Sequence, residues 1–428
     1  MSIVRKEIAK NVFLNSVPAD KFKSDLIRIT FLAPLSEKTA AVYALVPAVL
    51  NRGNEAYPTL GTIRKELESL YDSSIWDNVG KRGDVQLITL GAGHLGNRFT
   101  IDDTDVTAGV LDMLEQTLLH PVLENGVFKA EYIESEKKHR IDEILGEDNN
   151  KIAYSVRRCE EEMFAGDAYA LRAKGDPESV RTITPEGLYK AYLDLLKKAR
   201  IEIFAVGSQD MTYVEKRFSA MFAGVSREEC FDISTTVSKT ARSEINRVYE
   251  HQNIGQGKLT MGFVTGVCRT DPEFLAMQLA SVIYGGSTSS KLFMNVRERL
   301  SLCYYCSGSY NSAKGTILVR SGIEFAKKKE AIDEILTQLK LLQAGEITDD
   351  EIGDAKNTVK NQLRAVTDRT GAMADWQFDG IMTGCPETPE ERMARIDAVT
   401  KEEIVRAAGH IALDTVYFLC GMEVKEDE

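Results

Sequence analysis

The chain has 428 residues, of which 43% are apolar and 28% are charged, a composition typical of globular proteins with room for two or three domains. The formal net charge of −12 argues against a nucleic-acid partner, because a phosphate backbone binds cationic surfaces. No stretch approaches the apolar run that spans a bilayer. The seven cysteines are an odd number, which favours free thiols in a reducing compartment. We therefore expect a cytoplasmic location and no membrane contact.

The first half of the chain predicts an ordered series of strands and helices from its apolar periodicity and its turn residues. In chain order these are a strand at 26–31, an apolar helix at 40–50, a hairpin with strands at 73–79 and 85–91, a helix capped by Thr184, and a strand at 201–206.

The second half repeats that order. It predicts a strand at 259–264, a helix at 272–284, a hairpin within 303–320, a helix capped by Thr400, and a strand at 416–419. In both halves a threonine N-cap precedes a carboxylate in the first turn, where it complements the helix dipole. We therefore predict an α+β fold of two similar domains, 1–225 and 246–428, joined by a linker at 226–245. Each domain is expected to be a mainly antiparallel sheet flanked by helices.

One block of the second half, residues 284–320, is more specific than the rest. A Gly-Gly-Ser-Thr-Ser-Ser loop leads into a short helix with Leu292, Phe293 and Val296 on its apolar side, and a strand follows. This order resembles the C-terminal half of the M16 metallopeptidases, the family of pitrilysin, insulinase and the mitochondrial processing peptidase. The family places an Arg on the helix and a Tyr seven positions later, and Arg297 and Tyr304 have that spacing. The resemblance implies two M16-type domains that form a clamshell.

The zinc motif of that family is missing from the first half. M16 enzymes carry H-x-x-E-H on the helix after the first strand, with two His as zinc ligands and the Glu as general base. The matching positions here are Ala44, Pro47 and Ala48, none of which can bind a metal or accept a proton. Pro47 is also expected to kink or end the helix. The resemblance makes Glu136 the equivalent of the third ligand, but without the two His we expect a solvated or ion-paired carboxylate there. None of the five histidines lies in an H-x-x-E-H arrangement.

The resemblance therefore implies a zinc-free subunit of a heterodimeric peptidase. Arg297 and Tyr304 would serve as catalytic residues for a partner subunit that carries H-x-x-E-H, and zinc would be bound by that partner and not by this chain. We expect no peptidase activity from this chain alone. Peptides are the expected substrates, held as an added strand along Ser74, Ile75 and Trp76.

The alternatives stay open at this point. Arg297 would also fit an ordinary charged helix face, Tyr304 an ordinary strand, and Trp76 a core position. The rival function is a peptide-binding or scaffold protein of M16 fold with no part in catalysis. Cys303 and Cys306 form a C-x-x-C pair, but residues three apart on a regular strand face opposite sides, so we do not predict a redox or metal site there.

Overall fold

The computed structural model describes residues 3–423. Its strands are β1 Val4–Ala9, β2 Val12–Pro18, β3 Ser24–Pro34, β4 Ser74–Arg82, β5 Val85–Leu95, β6 Leu123–Glu124, β7 Val127–Phe128, β8 Arg200–Gly207, β9 Asn246–His251, β10 Gly257–Val264, β11 Cys303–Asn311, β12 Thr316–Ile323 and β13 Ala412–Cys420. Its α-helices are α1 Ala40–Leu50, α2 Leu60–Ser69, α3 Val106–Leu119, α4 Ala130–Glu147, α5 Lys151–Met163, α6 Pro177–Arg181, α7 Pro185–Lys198, α8 Met211–Ala223, α9 Phe274–Ser281, α10 Lys328–Gln343, α11 Asp349–Ala365, α12 Thr370–Thr383, α13 Pro389–Ala398 and α14 Lys401–Ala408. Two further segments, Val282–Gly286 and Leu292–Arg299, are π-helical, and we call them the first and second π segments.

The chain forms two compact units, and neither is continuous in sequence. The first unit runs from the start of the described chain to Gly146 and adds Leu171–Ser234 and Thr367–Phe378. The second comprises Glu147–Ala170, Thr235–Val366 and the described chain from Asp379 onward. The predicted domains at 1–225 and 246–428 were each one continuous stretch, so the units differ from them by two exchanged segments. The boundary between Ser234 and Thr235 falls within the predicted linker.

The sheet of the first unit has the strand order β1-β2-β8-β3-β5-β4. All neighbours are antiparallel except β2 and β8, which run parallel. Helix α1 follows the central strand β3, and its apolar residues join a core that includes α3, α7 and α8. The edge strand β4 lies beyond the hairpin turn at Gly83–Asp84, as the turn residues predicted.

The sheet of the second unit has the order β11-β12-β10-β13-β9, again with one parallel pair, β13 and β9. Read from its other end, this order matches β2-β8-β3-β5-β4 of the first unit strand for strand. In each unit the hairpin lies at one edge, the first long strand lies in the centre, and the last strand follows the capped helix. The predicted α+β fold with two similar, mainly antiparallel sheets is confirmed.

The predicted caps are also present. The Thr184 side chain accepts a hydrogen bond from the backbone N–H of Gly187 at 3.1 Å, and Thr400 accepts one from Glu403 at 3.3 Å. Each cap satisfies an N–H that has no partner within its helix. None of the helices within residues 3–423 combines the length and apolar character that crossing a lipid bilayer requires.

Of the two outcomes expected for Pro47, a kink or the end of the helix, the second does not occur, because α1 spans the whole predicted range to Leu50. Proline removes one N–H from the helix ladder, but the chain still closes its last turn through a hydrogen bond from Asn51 N–H to the Pro47 carbonyl at 3.1 Å. Tyr43, Leu45 and the residues around them are buried. Their packing holds the helix together through the proline.

Helix α5 covers one face of the second sheet. Its Cys159 and Met163 join a core cluster with Val264, Leu318 and Tyr417 from the strands. Beside that cluster, Glu250 on β9 accepts hydrogen bonds from Arg158 of α5 at 3.1 Å and from the Tyr417 hydroxyl at 2.7 Å, and one from the Tyr154 hydroxyl. Although burial raises it, these hydrogen bonds lower the pKa of Glu250 to about 2.

Candidate functional site

A cleft of about 350 Å³ in the first unit lies where the family resemblance places the zinc site. Its wall contains Ala48 of α1, Glu136 of α4, and Asp77 of the edge strand β4. Ala44 is fully buried and Pro47 is buried within α1. The fold thus brings the predicted positions together, but α1 presents only apolar side chains there.

The carboxylate of Glu136 is ion-paired. Arg52 Nη1 lies 3.3 Å from its Oε1, and His139 Nδ1 lies 4.0 Å from its Oε2. Burial raises the pKa of Glu136, and the positive charge of Arg52 offsets part of that rise. Within residues 3–423 no three His, Cys, Asp or Glu side chains are grouped closely enough to hold a metal ion. The residues present therefore do not fit the zinc of the family.

Three further charged side chains of the cleft, Arg140, Glu143 and Lys174, are ion-paired as well. Arg140 donates to Glu143 at 2.8 Å and to the carbonyl of Ala44 at 3.3 Å, and Lys174 donates to Glu143 at 2.7 Å. Although burial raises it, the hydrogen bond from Lys174 and the charge of Arg140 lower the pKa of Glu143 below its usual value. Ion pairs with good hydrogen-bonding geometry offset the cost of removing these charges from water.

The three predicted substrate-binding residues lie in the first half of β4, which is an edge strand of its sheet as predicted. Ser74 is exposed, and Ile75 packs against the core. The ring of Trp76 covers Gly91 on β5, where an added Cβ would lie 2.1 Å from Trp76 Cζ2. Trp76 is therefore half-buried against its own sheet, and the addition of a peptide to this edge stays a prediction.

Arg297 lies in the second π segment, which Leu292 and Val296 anchor because both are fully buried. Its side chain remains 39% exposed, and Nη1 lies 3.5 Å from Glu298 Oε1. The guanidinium lies 4.5 Å from the ring centroid of Phe293, a stacking that orients it while leaving its N–H groups available. π-Helical turns are frequent at functional sites.

Tyr304 is the extra residue of a β-bulge on β11. Cys303 pairs with Ile323 on β12 and Tyr305 pairs with Gly322, so Tyr304 has no partner on the neighbouring strand. A bulge at a sheet edge redirects a side chain, and Tyr304 is 64% exposed. Its hydroxyl makes no hydrogen bond to any described residue. We call the second π segment together with residues 303–305 the arginine–tyrosine rim.

Tyr305 differs sharply from its neighbour. Its ring lies over Gly322, where an added Cβ would be 2.4 Å from Tyr305 Cε1. Burial raises the pKa of Tyr305 to about 12. The contact repeats that of Trp76 with Gly91, since in both sheets an aromatic residue of the edge strand covers a glycine of the next strand. Tyr305 is thus a packing residue, and Tyr304 is the tyrosine that faces solvent.

The bulge also overturns the sequence argument about the C-x-x-C pair. Cys303 lies opposite Ile323 and Cys306 lies opposite Ser321. Residues two apart on a strand share a face, so the two cysteines share a face as well. The expectation that they point to opposite sides is wrong, because the extra residue shifts the alternation by one position. No letter of the sequence marks the bulge.

Comparisons with known proteins identify the family. A model described as the peptidase M16 inactive domain matches residues 182–359. The probable inactive metalloprotease YmfF of Bacillus subtilis (strain 168) is 30% identical over 407 residues, which cover 95% of this chain and 95% of that protein. This chain belongs to the M16 peptidase family.

Solved structures agree with the M16 fold. A conserved protein from Enterococcus faecalis V583 has a TM-score of 0.92 at 25% identity, with 99% of this chain and 100% of that chain covered. The peptidase M16 inactive domain from Pseudomonas fluorescens has a TM-score of 0.81 at 17% identity, with both chains fully covered. As an M16 member this chain has the two-sheet fold of the family but lacks the H-x-x-E-H sequence.

Proposed function

We propose that this chain is the zinc-free subunit of a heterodimeric M16 peptidase and that it supplies Arg297 and Tyr304 to the zinc site of a partner that carries H-x-x-E-H. The observation that carries the proposal is the exposure of Tyr304 on a β-bulge, beside a partly exposed arginine. The Tyr304 side chain faces solvent, and its hydroxyl forms no hydrogen bond within the described residues. Such a side chain is available to contact a substrate or a partner subunit.

The chemistry of these two groups fits peptide hydrolysis. Attack of water on a peptide carbonyl places negative charge on its oxygen, and a phenol O–H can donate a hydrogen bond that strengthens as that charge develops. One such donor is typically worth about 2.7–4 kcal/mol of transition-state stabilisation. The guanidinium of Arg297 can bind substrate carbonyl or carboxylate oxygens with two N–H groups at once.

The need for a partner follows from the cleft of the first unit. No zinc ligand or general base is available from Ala44, Pro47 and Ala48. The carboxylate of Glu136 is ion-paired with Arg52. The name of the Bacillus relative, a probable inactive metalloprotease, supports the same conclusion for a chain acting alone. The partner is therefore expected to hold the zinc and the water. The seven cysteines, none of which forms a disulfide within residues 3–423, suit a reducing cytoplasm.

The test starts from purification of the full-length chain out of its own cells together with whatever it binds. We expect a second M16 chain with an intact zinc motif and zinc-dependent cleavage of short peptides by the pair. In reconstituted pairs, Tyr304→Phe should lower kcat about 100- to 1,000-fold while changing KM little. Arg297→Gln should raise KM, because it removes a group that binds the substrate.

Matched controls lie next to each residue. Tyr305→Phe removes a hydroxyl from the packed neighbour, and Arg299→Gln removes a charge from the same π segment, where Arg299 is 65% exposed. Both control pairs should cleave peptides within about threefold of the unaltered pair. Equal activity of the Tyr304→Phe and Tyr305→Phe pairs would eliminate the catalytic role of the rim.

A second function, a peptide-binding or scaffold protein without catalysis, is favoured by one observation. The cleft of the first unit borders the edge strand β4, whose unpaired backbone groups can accept an extended peptide as a further strand. A chain that purifies without an H-x-x-E-H partner and still binds unfolded peptides would establish this function. Substitution of Arg297 and Tyr304 would then leave peptide affinity unchanged.

A further inference from the structure

Cys303 and Cys306 are brought together by the bulge at Tyr304. Their partners on β12, Ile323 and Ser321, lie two residues apart and are both fully buried. Two residues of extended strand span about 6.6 Å, so the register sets the two cysteines opposite residues that are same-face neighbours on β12.

The side chains around the pair support this placement. The thiols of Cys303 and Cys306 each shift the pKa of the other, and the Ser321 hydroxyl lowers the pKa of both. Ser321 is held in place by its own hydrogen bond to the Tyr305 carbonyl, at 2.9 Å. Cys306 is buried, whereas Cys303 is half-buried at the start of the edge strand.

The two thiols differ in acidity in the way that thiol–disulfide exchange requires. The hydrogen bond from Cys306, the contact with Ser321 and the positive charge of Arg297 lower the pKa of Cys303 to about 7. The hydrogen bond with Cys303 and burial raise the pKa of Cys306 well above its usual value. An attacking thiol reacts fastest when its pKa is close to the ambient pH, so Cys303 is the group that meets an external reagent first.

We propose that Cys303 and Cys306 are a redox-modification site that closes to an intramolecular disulfide by exchange with a low-molecular-weight disulfide such as oxidised glutathione. The Cys303 thiolate attacks one sulfur of the reagent, breaks its S–S bond, and releases one thiolate, which takes up the proton that Cys303 had lost. Cys306 then attacks the Cys303 sulfur of the mixed disulfide. The second reagent thiol leaves with the Cys306 proton, so that two protein thiols are oxidised and one reagent disulfide is reduced to two thiols.

This redox-modification site does not depend on any peptidase activity. Its two cysteines flank Tyr304 and Tyr305 in the sequence, and Tyr304 is the exposed tyrosine of the rim. The disulfide would bridge the two ends of the bulge that contains Tyr304. Oxidation therefore fixes the local backbone of β11 in the bulged form, and reduction releases it.

The test is carried out on the full-length protein in anaerobic glutathione buffers that span reduced to oxidised ratios. Samples are quenched with an alkylating reagent and mapped by peptide mass spectrometry. In the unaltered protein we expect a linked Cys303–Cys306 peptide that rises with the oxidised fraction and reverses on reduction. The rate at which Cys303 reacts with the reagent should increase with pH and level off above about pH 7, following the Cys303 thiolate.

Two variants separate the roles of the cysteines. Cys306→Ser should retain glutathione on Cys303 at a level at least about tenfold above that of the unaltered protein, because no second thiol displaces it. Cys385→Ser, a matched change at a partly buried cysteine outside the rim, should close the disulfide normally. The proposal is overturned if the unaltered protein shows Cys303 and Cys306 only as free thiols or only as separate glutathione adducts at every ratio.

Discussion

The cleft of the first unit and the arginine–tyrosine rim of the second differ in how many partners their polar side chains have. In the cleft, Glu136 and Glu143 are each bound by cations, and the helix that should carry ligands carries Ala44 and Ala48. On the rim, Tyr304 is bonded to nothing within the described residues, and Arg297 has one loose ion pair and a stacked ring. The two glutamates of the cleft are thus ion-paired within the first unit, whereas the Tyr304 side chain and part of the Arg297 side chain face solvent.

The largest effect is expected when histidines are placed at the two zinc-ligand positions of the cleft. We expect Ala44→His with Ala48→His to lower the free energy of unfolding by about 2–3 kcal/mol, because Ala44 is fully buried and a larger side chain overpacks the core. Added zinc should restore none of it, since Arg52 holds Glu136. Urea unfolding with and without zinc measures both effects.

The matched control for that experiment is Ala48→His alone. Ala48 lies on the cleft wall and is half-buried, so the free energy of unfolding should change by less than about 0.5 kcal/mol. A zinc-dependent gain in the stability of the double variant would show that the cleft lacks only its ligands. It would contradict the view that the ion pairs have closed the site.

The rim allows a comparison between adjacent tyrosines. Tyr305→Ala should lower the free energy of unfolding by about 2 kcal/mol, because it uncovers Gly322 and removes a half-buried ring. Tyr304→Ala should change it by less than about 0.5 kcal/mol, because that side chain is mostly exposed. Thermal and urea unfolding of the two variants side by side gives the result, and equal losses would show that Tyr304 also serves packing.

The smallest expected effects on stability come from neutralising the two carboxylates of the cleft, Glu143 and Glu136, one at a time. The pKa of Glu143 is lowered in the fold from its usual 4.5, so its contribution to stability is present above pH 4.5 and is lost as the pH falls below that value. Glu143→Gln should therefore cost up to about 1 kcal/mol at pH 7, with the partial exposure of this side chain keeping the figure small. The cost should shrink as the pH falls through the folded-state pKa of Glu143, as measured by urea unfolding across pH.

Glu136 should show the opposite dependence. Burial raises its pKa above the usual 4.5, so the stability it contributes is present below pH 4.5 and is lost as the pH rises through the folded-state value. Glu136→Gln should therefore leave the free energy of unfolding at pH 7 within about 0.5 kcal/mol of its original value. A loss at pH 7 equal to that of Glu143→Gln would mean that the ion pair with Arg52 outweighs burial.

Most of the fold could be predicted from local patterns. The alternation at 26–31, the turn at Gly83–Asp84 and the caps at Thr184 and Thr400 each follow from short-range physics, and the structure contains all of them. The arginine of the rim was placed on its helix and the tyrosine on its strand by the same block of sequence. These features depend on residues within a turn or two of one another.

The features that escaped prediction depend on residues far apart in sequence. The bulge at Tyr304 is defined only by its register against β12, so the shared face of Cys303 and Cys306 could not be read from spacing. Helix α1 continues through Pro47 because surrounding apolar residues hold it. The second π segment buries Leu292 and Val296, whose spacing is equally that of an α-helix.

Because the two units exchange segments, a cut in the linker does not divide the chain into two complete units. A break in the linker would leave helix α5 on the first polypeptide, although its Cys159 and Met163 belong to the core of the second unit. The same break would leave Phe378 on the second polypeptide. Phe378 belongs to the first unit, where its ring lies 6.2 Å from that of Phe204. Neither fragment would carry its complete core. The two sheets share one strand order, but each unit contains residues from both sides of the linker.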